Sequence, residues 1–179
     1  MGIPTLITTN TITSSTASSS FTGIDGTYDE YMVLYYDLNA GSQQEVVFNG
    51  SIDNGSNYNV AKTGTYFSAV HSEDDSSHAE LSYKTVKDIA QGTGFMHLTK
   101  ELEGASDDGD CGILHLFSPA STTYVTHFYA RTSSHSTSNA IHDAFIAGYF
   151  NSTDNIDAIQ FKLASGNMDT AVFKLFGIS

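Results

Sequence analysis

Short apolar runs recur along the chain, separated by clusters of Gly, Ser, Asn and Asp. This pattern predicts β-strands joined by turns, because strands bury alternate residues and turns favour those four residue types. About ten or eleven strands are expected. They are Ile3–Thr8, Tyr28–Leu38, Glu45–Asn49, Thr65–Val70, Ala79–Tyr83, Gly94–Leu98, Gly112–Phe117, Tyr124–Arg131, Ala144–Phe150, Ile156–Leu163 and Thr170–Ile178.

The predicted fold is an all-β, antiparallel β-sandwich of jelly-roll type, with about 8–11 strands and little helix. Asn49-Gly50 predicts a hairpin turn, and Ser165-Gly166-Asn167 predicts a hairpin loop between the last two strands. Residues 21–179 are expected to form one β-sandwich domain. Residues 1–20 form either an N-terminal arm or an edge strand, because Thr11–Ser20 lacks charged and large apolar residues.

Two of the predicted strands, Tyr28–Leu38 and Thr170–Ile178, carry apolar residues on both faces. A strand with one wet face would alternate apolar and polar residues, so both faces of these strands are expected to be covered. The cover is either a long loop of the chain itself or a neighbouring subunit. The candidate interface residues are Tyr31, Tyr35, Tyr36, Val172 and Phe176.

Composition adds constraints on partners. The net charge is −13, from 20 acidic and seven basic residues, which disfavours binding to nucleic acid and to anionic bilayers. No apolar run approaches the roughly 20 residues of a membrane-spanning helix, so no membrane insertion is expected. The single cysteine, Cys111, cannot form an internal disulfide and is predicted to be a buried or inert thiol.

Candidate catalytic and metal-binding patterns are weak. His71–His78 holds three carboxylates and two imidazoles, but its spacing matches no known metal loop and favours a solvated acidic turn. Asp107-Asp108-Gly109-Asp110 matches only half of a Ca²⁺ loop. His115 and His127 lie in predicted strands without a recognisable nucleophile. The sequence therefore predicts no enzyme, no cofactor and no metal.

Several segments carry a family resemblance. They are Gly23–Tyr31, Cys111–Pro119, Tyr124–Thr132, Ile156–Phe161, Ser165–Met168 and Lys174–Ile178. Together they resemble small virion structural proteins of tailed bacteriophages of marine bacteria and cyanobacteria. The resemblance covers most of the chain and rests on strand-and-turn patterns, so no catalytic residues come with it. It implies a part of the virion exterior.

Three functions follow as hypotheses. The first is a capsid decoration or cement protein, or a head-fibre component, which forms a homo-oligomer and contacts other virion proteins. The second is a tail-fibre or receptor-binding module that contacts host surface glycans. The third is a carbohydrate-active enzyme, since glycosidases need only a few dispersed side chains.

Overall fold

The chain folds into β-strands throughout. The computed structural model describes residues 2–105, 107–136 and 138–179, and over these residues it contains thirteen strands and no helix. The strands are β1 (Thr5–Ile12), β2 (Ser18–Thr22), β3 (Glu30–Asn39), β4 (Val46–Ser51), β5 (Lys62–Ser72), β6 (Ala79–Tyr83), β7 (Ile89–Gly92), β8 (Met96–His97), β9 (Asp110–Phe117), β10 (His127–Ser136), β11 (Ala140–Phe150), β12 (Ala158–Leu163) and β13 (Thr170–Ile178). No helix long and apolar enough to cross a membrane occurs in this part of the chain.

The strands form two antiparallel sheets. The large sheet has the order β1-β13-β3-β9-β10-β11-β5-β6, with β7 also paired to β5, and the small sheet has the order β2-β12-β4-β8. Aromatic side chains fill the space between them. The ring of Phe48 on β4 lies 5.1 Å from that of Phe128 on β10 and 6.4 Å from that of Phe161 on β12. The predicted all-β antiparallel sandwich is confirmed.

Burial alternates along β3, so this strand has an inner and an outer face. Tyr31 and Tyr35 are buried on the inner face, against the core. A β-bulge at Asp37, whose φ is 51°, shifts the alternation by one residue, so that Leu38 is buried as well. Next to Tyr35, Gly112 leaves room for the ring: an added Cβ would lie 2.7 Å from Tyr35 Cε1.

The prediction of a hairpin turn at Asn49-Gly50 is wrong, because both residues lie inside β4 and are buried. The Asn49 amide donates hydrogen bonds to the carbonyl oxygens of Tyr58 (2.8 Å) and Thr93 (2.9 Å), so it serves to hold two loops. Gly50 is in a tight space, since an added Cβ would lie 2.9 Å from the ring of Phe150. The Asn-Gly pair is therefore explained by the loops that Asn49 holds and by the close packing at Gly50, and not by a turn.

The hairpin predicted at Ser165-Gly166-Asn167 is also wrong. These residues connect β12, in the small sheet, to β13, in the large sheet. The two strands do not pair, and the turn is an arch between the layers. Gly166 adopts a positive φ of 73°, as expected for a glycine in a turn. Only the predicted pairing of the two flanking strands is wrong.

Serine-rich segments form strands that the apolar pattern did not predict. Residues 133–136 extend β10, which forms a hairpin with β11 from Ala140 onward. Ser18–Thr22 form β2 at the edge of the small sheet, whereas β1, at the edge of the large sheet, overlaps the predicted strand Ile3–Thr8. The other strand missing from the prediction, β7, has only four residues.

Candidate functional site: the outer face of the large sheet

The side of the large sheet that points away from the small sheet is called here the outer face. Its side chains alternate with the buried ones, so strand register defines its members. The apolar and aromatic members are Met32, Leu34, Tyr36, Phe67, Leu81, Tyr83, Ile113, Phe117, Tyr129, Ile141, Phe145, Tyr149, Val172, Phe176 and Ile178.

One row of directly opposed residues crosses seven strands of this face. In order it contains Lys174, Leu34, Ile113, Arg131, Phe145, Phe67 and Tyr83. The rings of Phe67 and Phe145 are stacked at 4.9 Å, and the guanidinium of Arg131 lies 5.0 Å from the Phe145 ring. Such cross-strand contacts stabilise the sheet, yet Phe67 remains 39% exposed and Tyr83 55% exposed.

A second group of rings surrounds His115. The imidazole stacks on the Tyr129 ring at 4.6 Å and forms an ion pair with Glu30 through Nδ1. Phe117 packs against Tyr129 at 5.4 Å, and Tyr129 is 46% exposed. A depression of about 440 Å³ beside this group is lined by Phe117, Tyr129, His127, Tyr149 and Thr65.

The charges around the stacked rings of the outer face balance. The acidic residues there are Glu30 and Asp143, and the basic residues are Arg131 and Lys174. Arg131 donates two hydrogen bonds to Asp143, at 2.9 and 2.7 Å, and this raises the pKa of the guanidinium. Lys174 lies 5.2 Å from the ring of Tyr36. Further acids, Asp37 near Cys111 and the carboxylates that face His135, lie on the same side of the sheet toward the end of β10.

A second depression, of about 560 Å³, lies near the centre of the outer face. Its walls include Leu34, Tyr36, Ile113, Ile141 and Arg131. Cys111 also lines it and is exposed, so of the two predicted alternatives, a buried thiol or an inert one, burial is wrong. Partial burial, Asp110 and Asp37 raise the pKa of Cys111, which makes the thiolate scarce at neutral pH.

The structure separates the five candidate interface residues into two groups. Tyr31 and Tyr35 lie in the chain's own core, so they are not available for contacts with a partner. The Tyr31 hydroxyl donates a hydrogen bond of 2.9 Å to Asp25. By contrast Tyr36, Val172 and Phe176 are half-buried members of the outer face.

Most of the outer face was not identified from the sequence. Phe67, Phe145 and Tyr149 lie in segments predicted as strands, and their spacing of two residues from other apolar positions was the available signal. That signal became informative only once strand register placed them on the same face of the sheet as the outward side chains of β3 and β13. The doubly apolar character of those two strands is one part of a surface that continues across the sheet.

Comparisons with known proteins add little. No family model matches the chain, and no curated protein matches it. Among solved structures, a marine PL-14 alginate lyase from Aplysia kurodai is similar over 86% of this chain and 72% of its own length, with 11% identity and a TM-score of 0.28. A likeness this low supports no conclusion about fold or activity.

Proposed function

We propose that this chain is a structural protein of a bacteriophage virion exterior that assembles with protein neighbours through the outer face. The observation that carries the proposal is the continuous apolar and aromatic outer face. Soluble monomers rarely expose apolar patches of more than a few hundred Å², and larger ones mark interaction sites. The family resemblance of the sequence supports the virion setting, as a capsid decoration or cement protein or as a head-fibre component.

The balanced charge around the outer-face rings favours contact with a second copy. Two molecules of net charge −13 repel each other, but the repulsion is weakest where the facing surfaces carry equal numbers of both signs. Aromatic anchors such as Phe176 and Tyr36 are typical of the dry centre of such contacts. The chain is therefore proposed to form a homo-oligomer or a symmetric array.

Strand order is consistent with this role at the level of fold. When β1, β2, β3, β4, β8, β9, β12 and β13 are numbered one to eight, the sheets run 1-8-3-6 and 2-7-4-5. We infer that these strands form a jelly roll, which the other strands extend on the large-sheet side. Viral capsid proteins and lectins both use jelly rolls, so this support is an analogy of fold.

Light scattering during gel filtration tests the assembly. The unmodified chain should elute as an oligomer, and Phe176→Asp or Tyr36→Asp should shift it toward monomer, because each buries an unpaired charge in the contact. Tyr124→Asp is the matched control, since Tyr124 is 75% exposed and lies in the loop before β10. Circular dichroism should show all variants folded.

The virion setting needs its own measurement. Mass spectrometry of purified virions should detect the chain at a copy number set by capsid or fibre symmetry, and the purified chain should bind particles that lack it. A chain that remains monomeric at high concentration and has no affinity for such particles would overturn the proposal.

A glycan-binding role is the second candidate, favoured by the aromatic depression around Tyr129. Exposed rings can stack on sugar faces, and this depression has rings on three of its walls. A glycan array should then give signals that Tyr129→Ala abolishes and Tyr124→Ala leaves unchanged. The chain is proposed to act by binding alone, and release of cleaved oligosaccharide from host capsule or lipopolysaccharide would contradict that.

A further inference from the structure

A cluster of metal-ligating side chains lies away from the outer-face rings, near the end of β10. It consists of Glu103, Asp108 and His135, and one ligand atom of each lies within 4.8 Å of the others. The Nδ1 atom of His135 is 2.7 Å from Asp108 Oδ1 and 3.2 Å from Glu103 Oε2. All three side chains are partly buried.

The loop that carries the two acids is held in place by backbone contacts. The Asn39 amide donates hydrogen bonds to the carbonyl oxygens of Ala105 (2.7 Å) and Asp108 (2.8 Å). The Glu103 N–H donates to the carbonyl oxygen of His135 at 3.1 Å. The cluster is therefore positioned by β3 and β10 together, which is what a pre-formed ligand set requires.

Too little positive charge is present for the acids gathered here. Besides Glu103 and Asp108, Glu73 Oε1 lies 3.8 Å from the other nitrogen of His135. Among the described residues, no lysine or arginine forms an ion pair with these three carboxylates. One imidazolium cannot neutralise three carboxylates.

Asp110, which lies beside the cluster, gives independent support for a bound cation. Its side chain is only 1% exposed, and neither carboxylate oxygen has a hydrogen-bond partner among the described residues. It lies close to two members of the cluster, because the backbone N–H of His135 faces it and its carboxyl group is near enough to Asp108 for their charges to interact. Asp108 Oδ2 is also buried without a partner.

We propose that Glu103, Asp108 and His135 bind a divalent transition-metal cation of the Zn²⁺ and Mn²⁺ class, with Asp110 as a buried carboxylate beside them. Imidazole nitrogen combined with carboxylate oxygen suits these ions, whereas Ca²⁺ takes oxygen ligands alone. In this arrangement Nδ1 of His135 gives its lone pair to the metal. The proton stays on Nε2, which faces Glu73, as in the carboxylate–histidine–metal pairs that fix histidine tautomers.

Binding at this position would link the loop before β9 to the end of β10. The site includes neither Tyr36 nor Phe176, the proposed anchors of assembly, so a Phe176→Asp chain should bind metal normally.

Isothermal titration of chelator-treated protein with ZnCl₂, MnCl₂ and CaCl₂ tests the proposal. We expect a site of one-to-one stoichiometry for Zn²⁺ or Mn²⁺ and a rise in Tm on binding. Asp108→Asn and His135→Gln should remove that site, and Glu73→Gln should weaken it by about 10- to 100-fold. His71→Gln is the matched control, because it removes a different, exposed His–Asp pair (3.1 Å) and should leave the site intact.

Circular dichroism of the metal-free variants should match that of the unmodified chain, which separates loss of a ligand from loss of the fold. The assignment fails if no stoichiometric Zn²⁺ or Mn²⁺ site is found. It fails equally if the site survives both Asp108→Asn and His135→Gln, or if only Ca²⁺ binds.

Discussion

At the residue scale, Lys62 is the least expected side chain in the interior. Lys62 is fully buried, and its amine donates hydrogen bonds to the carbonyl oxygens of Val60 (3.0 Å) and Gly94 (2.6 Å). Its hydrogen-bond partners in the described part of the chain include no carboxylate, and burial lowers its pKa to about 8. Asn49 shares the Gly94 carbonyl, so the two side chains hold the same loops.

The buried amine predicts a pH dependence of stability. The pKa of Lys62 is about 8 in the folded chain against 10.5 for an ordinary lysine, so between these values the unfolded chain binds more protons. Stability should therefore rise with pH in this window. Measured by urea unfolding, the unmodified chain should gain about 2 kcal/mol relative to Lys62→Met between about pH 8 and pH 10. A constant difference would show that the amine is hydrated.

At the element scale, β13 holds the large sheet together while β1 borders it. β13 pairs with both β1 and β3, and it buries Ala171, Phe173 and Leu175 in the core. β1 has one neighbour, and its only fully buried residue is Ile12. These two neighbouring strands therefore contribute very differently to the stability of the fold.

Truncation should reveal this difference. Deleting Phe173–Ser179 removes buried side chains worth roughly 1.5–3 kcal/mol each and exposes the edge of β3, so the chain should not fold. Deleting residues 1–9 removes a segment whose side chains from Ile3 to Thr9 are exposed, and it should leave a cooperative unfolding transition in urea. A soluble, monodisperse and cooperatively folded C-terminal truncation would show that β13 is dispensable.

Strands with a strong apolar alternation were predictable from the sequence. Features that depend on a pairing partner or on a bulge were not. Phe173 and Leu175 follow an alternation that any sheet would need. β2 contains three serines and one large apolar residue, Phe21, and it pairs because β12 offers an open edge. The bulge at Asp37 is equally hidden, since aspartate tolerates positive φ without requiring it.

The candidate site was likewise predictable only in part. The apolar spacing placed Tyr36, Val172 and Phe176 on one surface but could not say which face of β3 points outward, so Tyr31 and Tyr35 were included. His135 and Glu103 were missed as a possible ligand set, because they are 32 positions apart and meet only through a loop that passes the end of β10. Long-range contacts of this kind leave no local periodicity.

At the scale of the whole molecule, charge is segregated from the apolar surface. The acidic residues that give the net charge of −13 lie mainly in the loops between strands, while the charges around the outer-face rings are balanced. In the proposed assembly, separate molecules would repel each other except where these rings meet.

Salt should therefore strengthen self-association. Raising NaCl from about 0.05 M to about 0.5 M shortens the Debye length and screens repulsion between the acidic surfaces, while the apolar contact is little affected. Analytical ultracentrifugation should show a larger oligomer fraction at high salt for the unmodified chain and no such gain for Phe176→Asp. Dissociation by salt would instead indicate a contact made of ion pairs.

The pairing of β1 with β13 also sets how the molecule would bear a load. Thr5 lies opposite Gly177, and a side chain at Gly2 would collide with the backbone of Ser179, so the two ends of the chain meet at one corner. A tether attached to either end would leave from that corner. Force applied through both ends would peel β1 from β13 one residue pair at a time, which requires far less tension than sliding the strands past each other.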